Sequence, residues 1–195
     1  MKFRVLKSRP LTPIAARLRE LTRSCREAWL ASAFLSKDTL QVLAAAAAGN
    51  RAHIRLLTGA FGNNTRKATF AWLFKNRSSI DTAIWTSGGH RDFHAKLYIW
   101  KLRSGRAVAW IGSANLTDGG MQKEGELMLE IQCAWNSTQM MALRNAFEEE
   151  WSRGIALDRD FLAKYKEAKR QPPDAYVRVR KQRARVESLG RIFTA

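Results

Sequence analysis

The stretch FHAKLYIW, residues 93–100, alternates between two faces with the period of a β-strand. Phe93, Ala95, Leu97 and Ile99 form a wholly apolar face, and His94, Lys96, Tyr98 and Trp100 form the other. An imidazole and an ammonium therefore stand side by side on a segment otherwise suited to burial. One reading is a solvent-facing edge strand, on which a lysine discourages strand-to-strand aggregation. Tyr98 and Trp100 on the same face argue against it, because large rings seek shelter. The other reading is a site that handles negative charge.

Upstream of this strand the pattern alternates helix and strand. Thr12-Pro13 is an N-cap and first-turn pair, followed by helical spacing through Ile14, Leu18, Leu21 and Cys25. Residues 27–36 (EAWLASAFLS) predict a buried strand, and Ser36 caps a helix through Leu40, Leu43 and Ala47 that stops at Gly49-Asn50. A strand over 52–60, an amphipathic helix over 64–76 and a strand over 80–87 follow. This order predicts an α/β fold with a mixed, mainly parallel sheet flanked by helices on both faces.

Past Gly88-Gly89 the rhythm changes. FHAKLYIWKL and AVAWIGSANL, joined by RSGR, predict a hairpin, and residues 125–135 predict one more strand. A helix capped by Asn136 or Ser137 then carries Met140, Leu143, Phe147 and Trp151 on one stripe and closes at Gly154. No internal repeat is present. Residues 1–155 are expected to form one α/β domain and 156–195 a basic, helical or extended C-terminal arm. Between Lys164 and Arg191 there are ten basic residues against three acidic ones.

The 195 residues are 46% hydrophobic, which suits one domain with a real core. Lys and Arg outnumber Asp and Glu by 34 to 17, a formal charge of +17. Such a balance favours a polyanionic partner, nucleic acid before an anionic membrane. No run of eighteen apolar residues occurs and the N-terminus lacks an apolar leader core, so a cytoplasmic protein without a membrane span is expected. Cys25 and Cys133 are expected to be reduced and buried, Cys25 on the first helix and Cys133 in a strand. Of the tryptophans, Trp72, Trp85, Trp100 and Trp110 could stack on bases, but core packing is the expected role for most of them.

His90 and His94 are four apart, a metal-binding spacing on a helix, but glycines precede them and a strand follows. No carboxylate or cysteine cluster completes a site, so neither metal nor cofactor is expected. Downstream, WIGSANLTDGG supplies Gly112, Ser113 and Asn115, with Ser113 and Asn115 on a common face, and Glu126 lies eleven residues beyond Asn115. Imidazole, ammonium, hydroxyl and amide together suit a phosphodiester. One group attacks phosphorus while the others neutralise the non-bridging oxygens. A carboxylate on the second imidazole nitrogen would fix its tautomer.

This set resembles the signature of the phospholipase D superfamily: H-x-K, usually an Asp, then G-S-x-N and a Glu. The likeness runs over about residues 27–132 and includes AFLS, RLLTG, FHAKLYIW and IGSANLTDGG followed by GELMLEI. It implies His94, Lys96, Ser113, Asn115 and Glu126 as catalytic residues, with Lys96, Ser113 and Asn115 binding phosphate. It further implies a phosphohistidine intermediate, no metal, and a homodimer, because such a site uses two H-x-K strands and this chain has one. A single motif with +17 favours the nuclease branch, DNA before RNA, over the lipid-acting one. One departure is Lys101, which stands where the family usually has its Asp. It keeps open a second reading, a catalytically weak nucleic-acid-binding subunit of a larger defence or repair complex.

Overall fold

Short, strongly patterned segments bounded by polar caps give this chain its elements. The computed structural model describes residues 1–7, 13–60, 65–85, 93–122 and 125–166. The elements are β1 (Lys2–Lys7), α1 (Pro13–Ser24), β2 (Cys25–Ser32), α2 (Lys37–Ala48), β3 (His53–Gly59), α3 (Lys67–Lys75) and β4 (Ile80–Trp85). They continue with β5 (Lys96–Leu102), β6 (Arg106–Gly112), α4 (Asp118–Gln122), β7 (Leu127–Ala134), α5 (Thr138–Ser152), β8 (Ile155–Ala156) and α6 (Arg159–Lys164). The expected N-cap at Thr12, the residues around His90 and Asp92, and the arm from 167 onward lie outside the described residues.

The strands form one sheet in the order β1-β7-β6-β5-β2-β3-β4-β8. The α/β class and the mixed sheet stand, with antiparallel rather than parallel pairings in the majority. Parallel pairing is confined to β2-β3-β4, where helices α2 and α3 supply the crossovers. The hairpin β5–β6 and the strand β7 bring antiparallel pairing to the other half. β5 lies between β6 and β2, so the edge-strand reading of FHAKLYIW does not hold.

Ser36 and Ser137 cap α2 and α5 as expected, each hydroxyl accepting a backbone N–H of the first turn. Three boundaries differ. Cys25 is the first residue of β2 and pairs with Leu102, because α1 ends at Ser24. β2 stops at Ser32, whose side chain donates to the Phe34 carbonyl and turns the chain. The alternating KFRVLK forms an edge strand, β1, that the helix–strand rhythm did not anticipate.

Each face of the sheet has its own core. Under α1, α2, α3 and α6 lie Leu30, Ile54, Tyr98, Trp100 and Trp110, with Tyr165 of the segment following α6. Under α5 lie Leu57, Phe93, Ile99, Met140 and Phe147. Trp100 and Trp110 are wholly buried core residues with ring centroids 4.9 Å apart, and half-buried Trp85 packs against the core at Phe93. Cys25 and Cys133 are buried free thiols.

A carboxylate sits inside the first core. Glu130 on β7 is fully buried and accepts from Arg4 (2.8 Å), Arg17 (3.0 Å), Trp110 (2.9 Å) and Gln132 (2.6 Å). It therefore ties β1, α1 and β6 to β7. Burial pushes its pKa up, but the bonds from Arg17, Trp110 and Gln132 outweigh that and hold it below the usual glutamate value. Its contribution to stability is thus complete above the unfolded-state value of 4.5 and is lost as pH falls through the lower folded value. Glu130→Ala, which leaves the buried Trp110 N–H without its acceptor and Arg17 with Glu20 alone, is expected to cost about 3–5 kcal/mol in urea unfolding. Glu130→Gln should flatten the acid limb of the melting temperature against pH; an unchanged acid limb would show that Glu130 is not its source.

Candidate active site

The register of β5, β6 and β7 brings the expected residues to one end of the sheet. Leu97 pairs with Ile111 and Gly112 with Met128, so the start of β5, the end of β6 and the start of β7 lie side by side. Gly112 cannot carry a side chain there. A Cβ would strike the Leu127 carbonyl and approach the Met128 sulfur at 2.7 Å.

Lys96 opens β5 on the face shared with Tyr98 and is only 7% exposed. Its Nζ lies 2.8 Å from His94 Nδ1 and 3.1 Å from Nε2, and it donates to the His94 carbonyl at 2.8 Å. Burial lowers the pKa of this ammonium, and the charge of Glu126 partly restores it. His94 precedes the strand and is exposed, with its ring edge-on to Phe34 at 6.0 Å between centroids. The two bases of FHAKLYIW are thus in contact, one sheltered and one open to solvent.

Ser113 and Glu126 form a second pair. The Ser113 hydroxyl donates to Glu126 and accepts from the Leu127 N–H at 3.0 Å, while its own N–H donates to the Leu127 carbonyl at 2.9 Å. Asn115 is fixed from another direction, its side-chain oxygen accepting the Phe34 N–H at 3.2 Å. That leaves the amide nitrogen as its donor. Gly120 of α4 presses on the Asn115 backbone so closely that a Cβ would clash with it.

Further residues hold these groups, and the sequence pattern singled out none of them for that task. Ser32 Oγ accepts the Leu116 N–H at 2.9 Å, and Tyr98 donates its hydroxyl to the Ala114 carbonyl at 2.7 Å. Together they clamp both sides of the Ser113–Asn115 turn to β2 and β5. Asp118 accepts from Ser36 (3.1 Å) and Thr39 (2.9 Å), which joins the turn to the start of α2. The signal for Tyr98 was its place two residues beyond Lys96, on the same face. Lys101 lies about 17 Å further along the strand, at the opposite end and on the opposite face. There it pairs with Glu27 at 2.8 Å above the Trp135 ring.

The described residues hold no cluster of three metal-ligating side chains. What the strand ends gather is an ammonium, an imidazole, an amide and a hydroxyl backed by a carboxylate, a set whose chemistry suits an anion. Residues 18–151 match the family model described as cardiolipin synthase, PLD-like domain. The chain belongs to the phospholipase D superfamily and is a phosphodiester hydrolase. Its fold is similar to Nuc, a phospholipase D family member from Salmonella typhimurium, at 18% identity and a TM-score of 0.60 over 80% of this chain and 97% of that one. It is similar also to NucT from Helicobacter pylori, at 13% identity and a TM-score of 0.59 over 80% and 98%. A third likeness is TrmBL2, an archaeal chromatin protein, at 10% identity and a TM-score of 0.51 over 80% and 54%. Among curated proteins no match is found.

Replacing Tyr98 by Phe removes the donor to a buried carbonyl while keeping the ring. The expected loss is about 1–3 kcal/mol in urea unfolding, with an unchanged denaturant slope; a loss below about 0.5 kcal/mol would mean the clamp is not made.

Proposed function

We propose that the protein is a metal-independent nuclease, acting on DNA before RNA, whose active site is completed by a second copy of the chain. The observation that carries this reading is the contact of exposed His94 with sheltered Lys96 beside the Ser113–Glu126 pair. An unprotonated His94 nitrogen attacks phosphorus and forms a phosphohistidine while the bond to the leaving oxygen breaks. His94 of the partner subunit donates a proton to that oxygen. The same imidazole then takes a proton from water, whose oxygen attacks phosphorus and frees His94. Lys96, Ser113 and Asn115 neutralise the non-bridging oxygens, and Glu126 orients its hydrogen-bonded neighbours. Lys101, remote from this end, leaves the chemistry in place.

The sheet itself supports a second copy. Phe3 and Val5 of β1, Ile111 of β6 and Leu127 and Leu129 of β7 share the α5 side of the sheet, by the pairings Val5–Leu129 and Ile111–Leu129. They are 61%, 60%, 41%, 52% and 39% exposed. This apolar patch adjoins Gly112-Ser113 and Glu126, so a self-complementary contact across it brings two sites together. None of the described helices is long and apolar enough to cross a membrane. The +17 charge favours a nucleic acid over a lipid substrate. The two free thiols support a reducing, cytoplasmic setting.

Purified protein in EDTA should cleave single- or double-stranded DNA and lose that activity by at least about a thousandfold in His94→Ala. Absence of cleavage of DNA, RNA and phospholipid micelles by the wild type would favour the binding-subunit reading. The double variant Val5→Arg/Leu129→Arg should sediment as a folded monomer without activity; a dimeric, active double variant would overturn the shared-site arrangement.

A further inference from the structure

The end of the molecule opposite the site carries a second concentration of charge. Arg23 and Arg26 flank the junction of α1 and β2, Arg51 follows α2, and Arg103 and Arg106 bracket the β5–β6 turn. Backbone contacts draw these segments together. Arg103 N–H donates to the Ser24 carbonyl at 3.3 Å, and its guanidinium donates to the Asn50 carbonyl. Asn50 in turn donates to the Arg23 and Cys25 carbonyls, each at 2.8 Å. All five arginines are exposed, and none of them forms an ion pair among the described residues. The carboxylates of the same elements do not neutralise them. Glu20 is engaged by Arg17 and Glu27 by Lys101, while Asp38 lies at the far end of α2.

Arg51 adds a backbone observation. Its φ of 53° places it in the left-handed region, and it is the one non-glycine residue so placed among those described. A turn that selects Gly or Asn on backbone grounds here carries an arginine. β2 runs the full height of the sheet between this pole and the candidate site, which sets the two about 25 Å apart.

We propose that this arginine pole is a second nucleic-acid contact, one that grips phosphates away from the scissile bond and takes no part in the chemistry. It rests on the nuclease reading only in that the ligand is the same polyanion. Five exposed guanidiniums converging on one end, without local carboxylate partners, suit a phosphate backbone, which accepts bidentate hydrogen bonds and releases counterions. The spacing exceeds the reach of one diester, so the pole matters for long nucleic acids and not for small substrates.

The test uses the full chain carrying His94→Ala, so that the ligand survives, and a labelled duplex of about 40 base pairs, roughly 136 Å long. Its partner adds Arg23→Gln, Arg26→Gln, Arg51→Asn, Arg103→Gln and Arg106→Gln. Binding near 0.1 M salt should weaken at least about tenfold, and log affinity should fall less steeply with log salt. The five substitutions alone, with His94 intact, should leave hydrolysis of bis(p-nitrophenyl) phosphate unchanged. Equal affinity and equal salt slope would overturn the proposal and leave the nuclease reading standing. A His94→Ala parent that binds no nucleic acid would overturn both. If the fivefold variant melts early, Arg23→Glu/Arg106→Glu reads the same slope, since neither side chain makes a hydrogen bond among the described residues.

Discussion

A lysine ammonium at 7% exposure is the constraint around which this molecule is arranged. Lys96 has lost most of its water, and burial lowers its pKa. It can stay charged only at the end of an interior strand, where a backbone carbonyl, an imidazole and a nearby carboxylate replace hydration. An interior strand needs neighbours, and those neighbours, β6 and β7, end in Gly112-Ser113 and begin after Glu126. The cluster at these strand ends is thus the means by which the sheet tolerates the lysine.

The other buried charge makes the contrast. Glu130 also lies in the core, yet four residues from three strands and a helix saturate its oxygens. A carboxylate so enclosed fastens elements and does nothing else. Lys96 is held by fewer groups, one of which, His94, faces solvent. The difference in satisfaction distinguishes the two buried charges more clearly than depth of burial does.

Much of this was readable from the sequence, for reasons that differ by element. Ser36 and Ser137 declared their helices because capping is local chemistry, and the β5–β6 hairpin was declared by alternation around a glycine turn. His94 and Lys96 stood out because they share one face of an alternating segment, whereas Ser113, Asn115 and Glu126 were picked out by their resemblance to the phospholipase D signature. The contacts of Ser32 and Phe34 could not be found, since they join residues some eighty positions apart through backbone groups that leave no mark on side-chain pattern. The predominance of antiparallel pairing was hidden for a similar reason. Periodicity shows that a segment is a strand, but not that β5 inserts beside β2 in the antiparallel sense. β1 went unseen because an edge strand with one exposed apolar face has too little pattern of its own.

The strand order also governs how the chain can fold as it is made. Among the described strands β1 pairs with β7 alone, and Arg4 meets Glu130 across 126 positions. At roughly 5–20 residues per second, about 6 to 25 seconds separate the synthesis of the first strand from completion of the one it needs. Through that interval Phe3 and Val5 have no sheet to join, and the parallel block β2-β3-β4 can assemble ahead of them. The basic residues around them, Lys2, Arg4 and Lys7, give the waiting segment a charge that opposes premature pairing with a neighbouring nascent chain.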